Sequence, residues 1–88
     1  MAILISVDGT ETETQPASSK EFSLEELQGF VGGYIEIVRT KDGKAMIINE
    51  EGKLKGLEAN PAATKLVELF AGDYIAGPAL VVEEEEIS

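Results

Sequence analysis

The chain contains no cysteine, no histidine and no tryptophan. Without cysteine there are no disulfides and no thiolate metal sites. Without histidine, the commonest general base and the commonest zinc ligand are missing. Nucleophilic catalysis would fall to serine, threonine, lysine or aspartate with an unusual activator. The serines are Ser6, Ser18, Ser19, Ser23 and Ser88. Ser6 lies in an apolar strand, Ser23 caps a helix, and the others fall in a loop or the tail. No G-x-S-x-G, P-loop or G-x-G-x-x-G pattern occurs, so no cofactor is expected. Glu36 and Asp73 are the only acids outside obvious surface runs, and a small enzyme would need one of them as its general base. The expectation is a protein that is not an enzyme. Metal binding is not expected either. "NEEG" and "EEEE" lack the spacing of a calcium loop, and consecutive glutamates point in divergent directions.

Long apolar runs are also missing, and none approaches the ~20 residues of a membrane span. The apolar start "MAILISV" has no basic flank or small-residue cleavage site, so it reads as a buried strand rather than a signal peptide. The expected compartment is the cytoplasm, that of the host cell if the protein is viral.

Basic residues are few, with 7 against 17 acids and a net charge of −10. That balance disfavours direct contact with nucleic acid or an anionic membrane. It is unevenly spread. Arg39, Lys41, Lys44, Lys53, Lys55 and Lys65 fall in one span with four acids, a local balance of +2. The remainder holds one lysine and 13 acids, a balance of −12. An acidic shell surrounds a mildly basic middle.

What is present suits one small domain. The 88 residues are 43% hydrophobic, enough for a folded core and against global disorder. Domains of this size bury only roughly 60–65% of their unfolded surface, so the core is thin. Residues 1–82 are expected to form the domain and 83–88 a solvated, frayed acidic tail. Ala2 to Gln15 reads as a hairpin around Asp8–Gly9. Its first arm is apolar throughout and its second, "TETETQ", is an exposed edge. "PASSKE" is a loop. Ser23 and Glu26 form a capping box for a helix whose Leu24, Leu27, Phe30 and Val31 share a face, ended by Gly32–Gly33. Tyr34–Thr40 and Lys44–Asn49 read as a second hairpin. Asn60 then caps a second helix with Pro61 in its first turn. An apolar stripe of Ala62, Ala63, Leu66, Val67, Leu69 and Phe70 runs along it to Gly72. A last strand follows, beginning or bulging at Pro78. The fold class is α+β, order β-β-α-β-β-α-β, with a mostly antiparallel sheet and two helices packed on one face.

The stretch "NEEGKLKGLEANPAAT", Asn49 to Thr64, is the best place to expect a ligand. A helix N-terminus offers unpaired N–H groups and partial positive charge, which suit a phosphate or carboxylate. The alternative is plain capping by Asn60. Candidate binding residues are Tyr34, Arg39, Asn49, Lys53, Lys55, Asn60, Thr64 and Lys65. Tyr34 or Tyr74 would stack on a base.

The segments Leu24–Leu27, Val31–Glu36, Asn49–Leu57, Asn60 with Ala63–Thr64, and Asp73 with Gly77 together resemble a family of small uncharacterised proteins of phages, plasmids and bacteria. It is known as domain of unknown function 3846, and the resemblance covers nearly the whole chain. Pro78 departs from the charged or polar residue that commonly follows this glycine. The resemblance implies no activity and no catalytic residues. It implies a setting in which small mobile-element proteins act on host machinery or defence. Two functions follow as expectations. One is a non-enzymatic protein that sequesters a small anionic, nucleotide-type signal, most readily as a homodimer or higher homo-oligomer with a shared pocket. The other is an acidic protein–protein inhibitor of a host factor, whose charge either meets a basic host surface or imitates nucleic acid.

Overall fold

The computed structural model of the protein describes residues 1–17 and 20–87. Ser18 and Ser19 of the expected loop, and Ser88 of the expected tail, lie outside the described residues. The elements follow the expected order: β1 (Ala2–Ile5), β2 (Glu11–Thr14), α1 (Leu24–Val31), β3 (Ile35–Arg39), β4 (Ala45–Asn49), α2 (Pro61–Thr64) and β5 (Ala79–Val82). The class is α+β, and the five strands form one antiparallel sheet in the order β2-β1-β5-β4-β3.

The last strand sits in the middle and joins the two hairpins. Sequence explains why. β5 reads ALVV and β4 reads AMII before its asparagine, so neither has a polar face to turn to water. Such strands need cover on both sides. On one face, Ala45, Ile47, Leu80 and Val82 pack under Leu27 and Val31 of α1 and under Phe22. Phe22 and Phe30 meet edge to face, with ring centroids 5.9 Å apart. On the other face, Met46, Ile48 and Ala79 pack under Ala63 of α2 and under Val67 and Ile75. The expectation of both helices on one face is therefore corrected. α1 and α2 lie on opposite faces because successive residues of β4 and β5 point to opposite sides, and both sides are apolar.

The capping box of α1 is present, with the Glu26 N–H donating to Ser23 Oγ at 3.1 Å and the Ser23 N–H to Glu26 Oε1 at 2.9 Å. Gly32 closes the helix in the left-handed region, at φ 81°. The second helix is shorter than its apolar stripe predicts. It ends at Thr64, and Leu66, Leu69 and Phe70 are exposed. Tertiary pairing overrides the stripe. Val67 forms an antiparallel bridge with Thr40, and the Lys41 N–H donates to the Leu66 carbonyl at 2.8 Å. These contacts draw the chain along β3 after a single helical turn.

The acidic stretch expected to fray is docked instead. Glu84–Glu86 form a 3-10 turn, and Ile87 packs against the α1-side core. Glu86 is 6% exposed and lies 3.0 Å from the Met1 ammonium. Its carbonyl accepts the Phe22 N–H at 2.7 Å. One apolar side chain and one paired carboxylate hold the segment down.

Candidate functional site

The loop that follows β4 is tightly wound. Asn49 Oδ1 accepts the Glu51 N–H at 2.8 Å, and the Leu57 N–H returns to the Gly52 carbonyl at 2.9 Å. At Gly52 the backbone runs close to the segment before β5. A Cβ there would sit 2.8 Å from the Ala76 carbonyl oxygen, below any ordinary contact. This approach sets Lys53 and Leu54 opposite residues 69–76. Between the two segments lies a cleft of about 200 Å³ floored by Val38 and Ile48, with Glu36, Glu50, Leu69, Asp73 and Tyr74 in its walls. Gly52→Ala should push the two walls apart. The expected cost is about 1–3 kcal/mol, as for overpacking elsewhere, seen as a lower urea midpoint with an unchanged slope. An unchanged midpoint would show that the loop yields freely.

Lys53 spans the cleft. Its ammonium hydrogen-bonds Asp73 Oδ1 and lies 4.8 Å from the Tyr74 ring centroid, a cation–π distance. The Lys53 hydrogen bond, followed by the Tyr74 N–H at 2.8 Å, holds the Asp73 carboxyl below its ordinary range. A carboxylate so stabilised is a weaker base, which counts against a catalytic role for Asp73. The cleft lining carries three carboxylates (Glu36, Glu50, Asp73) and one lysine. A second, more open depression of about 490 Å³ shares Val38 and Leu69 with it and adds Arg39, Thr40, Lys41, Val67 and Glu68.

The structure does not gather the residues expected to bind an anion. Lys53 and Asn49 line the cleft, while Arg39 lies at the second depression. Tyr34 is exposed, with its carbonyl accepting the Glu50 N–H at 2.9 Å. Lys65 is exposed at the end of α2. Asn60 is 0% exposed and its side chain is fully used. Its Oδ1 accepts the Ala63 N–H at 3.1 Å, and its Nδ2 donates to the carbonyls of Ile5 at 3.0 Å and Gly77 at 2.9 Å. The Thr64 hydroxyl donates to the Asn60 carbonyl at 2.8 Å and accepts the Ile75 N–H at 2.9 Å. The helix start therefore serves the fold: Pro61 has no N–H to offer, and the Ala63 N–H is taken by Asn60 Oδ1. Four of the bases are also paired: Arg39 with Glu84, Lys44 with Glu83, Lys53 with Asp73 and Lys55 with Glu51.

Leu54, Leu69 and Phe70 do not figure among the sequence candidates. Leu69 and Phe70 read as helix core, and Leu54 lies in a stretch read only for its lysines. Glu36 and Asp73, singled out as isolated acids far apart in the chain, line the same cleft. Among the described residues, no group of three His, Cys, Asp or Glu is placed to hold a metal ion, and no helix is long and apolar enough to cross a membrane. A family model described as Domain of unknown function (DUF3846) matches residues 1–88. No curated protein and no solved structure matches the chain.

Proposed function

The chain belongs to the DUF3846 family, and we propose that it is a non-enzymatic protein that acts by binding a basic surface of a partner protein. The carrying observation is the arrangement of charge. The net charge is −10, and four of the seven bases are tied to carboxylates of the same molecule. Exposed pairs of this kind add little stability, but each cancels a local positive field. What remains outward is mainly acidic, with Glu11 and Glu13 on the exposed edge strand β2 and Glu36 on β3 at the other edge outnumbering the exposed Lys41 and Lys65. A field of one sign steers and selects partners of the other sign.

Sequestration of a small anion, the other expectation, calls for a cationic pocket. The cleft walls carry more carboxylates than lysines, and its volume is below the ~300 Å³ at which ligand pockets usually begin. The larger second depression carries Arg39 and Lys41 against Glu68, but Arg39 is paired with Glu84, which leaves Lys41 facing Glu68. The setting suggested by the family resemblance, a mobile-element protein acting on a host factor, suits an inhibitor of this kind.

Immobilised protein should capture a discrete partner from host lysate at ~0.05 M salt and release it by ~0.5 M, where screening shortens the field to a few ångströms. Glu11→Gln with Glu13→Gln and Glu36→Gln should weaken that capture. In parallel, heating the purified protein should free no nucleotide detectable by chromatography. A stoichiometric released nucleotide, or capture indifferent to both salt and the neutralised variant, would sink this reading.

A further inference from the structure

The two most exposed of the large apolar side chains lie on the two segments that border the cleft. Phe70 is 91% exposed and Leu54 88% exposed, while Leu69 and Tyr74 are partly open beside them in sequence or in the cleft wall. The fold itself forces this exposure. Val67 is pinned to Thr40 at one end of the segment, and the Ile75 N–H is pinned to the Thr64 hydroxyl at the other. The residues between must span outward, closed by a turn in which the Asp73 N–H donates to the Phe70 carbonyl at 3.0 Å. Opposite them Leu54 is carried on the loop that Gly52 lets approach Ala76. Apolar groups held in water on two facing, well-tied segments mark an interaction site rather than an unfinished core.

The rim states what such a partner must carry. Glu36 and Glu50 line the cleft with no basic side chain paired to them among the described ion pairs, and Lys53 is committed to Asp73. A docked group therefore meets an apolar floor of Val38 and Ile48 and an unneutralised acidic wall. We infer that the cleft between residues 50–54 and 69–76 is a docking site for a protein segment in which one large apolar side chain is flanked by lysine or arginine. The inference rests on the protein-binding reading and assigns it a location and a chemistry. The apolar side chain fills the cleft between Leu54 and Leu69. The flanking cations lie against Glu36 and Glu50, while Asp73 occupies Lys53 and so denies an acidic competitor that cation.

The test uses the full chain, isotope-labelled, and two peptides, KKALAKK and KKAAAKK. Addition of KKALAKK should move amide resonances in 50–54 and 69–76, with KKAAAKK bound at least about ten-fold more weakly, as for loss of a central anchor. Leu54→Ser combined with Leu69→Ser should cost a similar factor. Both sites are exposed, so thermal unfolding checks that the variant stays folded. Glu36→Gln with Glu50→Gln should flatten the salt dependence. Equal binding of both peptides, with shifts scattered over the acidic surface, overturns the cleft assignment and leaves the protein-binding reading standing. Binding of neither peptide also overturns the assignment, and the wider reading then falls only if the lysate capture fails too. Shifts of the same resonances on concentration without peptide would give the patch to a second copy of the chain and overturn the proposal.

Discussion

Asn60→Ala should cost roughly 3–7 kcal/mol and leave the protein at best marginally stable. The side chain is wholly buried and joins three parts of the chain: it caps α2 and donates to the carbonyls of Ile5 and Gly77. Truncation removes a helix cap worth about 1 kcal/mol. It also strands two buried carbonyls, each at about 1–3 kcal/mol. The sum, roughly 3–7 kcal/mol, is a large share of the about 5–10 kcal/mol that a domain of 88 residues commands. Circular dichroism and a urea titration would read it directly. A variant that melts within a few degrees of the parent would refute the role given to Asn60. Asn60→Asp separates cap from donors, because it keeps the capping oxygen and turns an acceptor toward two carbonyls. In the folded protein that carboxyl is buried beside carbonyl oxygens, which raises its pKa above the unfolded value. A raised folded-state pKa means that stability is present below the unfolded pKa and lost as pH rises through the folded one. This variant should therefore be more stable near pH 4 than at pH 7.

Asn49→Ala should be the next most costly change, at about 2–4 kcal/mol. Asn49 is 4% exposed. Its Nδ2 donates to the Val31 carbonyl at the end of α1 at 3.0 Å, and its Oδ1 accepts the Glu51 N–H at 2.8 Å. One side chain thus fastens the first helix to β4 and shapes the loop that carries Lys53 and Leu54. Beyond a lower urea midpoint, the variant should exchange its Glu51 amide faster and lose the peptide-induced shifts at the cleft. Asn49→Asp retains the turn acceptor and loses the donor to Val31, so its midpoint should fall between the two. Equal midpoints for all three proteins would mean that neither hydrogen bond matters to the fold.

These two asparagines show how the sequence misleads about function. Polar residues amid lysines and glycines read as ligand contacts, because composition reveals residue type and local spacing but not burial. Asn60 was legible as a cap, since its Oδ1 bond to Ala63 is only three residues long. Its bonds to Ile5 and Gly77 span 55 and 17 residues and leave no local mark. The cleft was hidden for the same reason. Glu36, Leu54 and Asp73 meet only after β5 has inserted between β1 and β4 and the segment after α2 has crossed the sheet.

Local chemistry determined much of this protein from sequence alone. The Asp8–Gly9 hairpin, the Ser23–Glu26 capping box, the second hairpin and the Asn60–Pro61 helix start each depend on residues within a few positions of one another. Their physics is complete in a short window, and α+β with the observed element order follows. The unbroken apolar run of β1 also implied a strand covered on both faces. The tertiary structure alone decided that the helices divide between those faces and that α2 stops after one turn. It alone left Phe70 in water and paired most of the bases. Each of those outcomes is a competition between a local preference and a distant partner. The pairing of Val67 with Thr40 defeats a helical stripe, and the carboxylates of Asp73 and Glu84 occupy Lys53 and Arg39, two of the bases that the sequence offered to an anion.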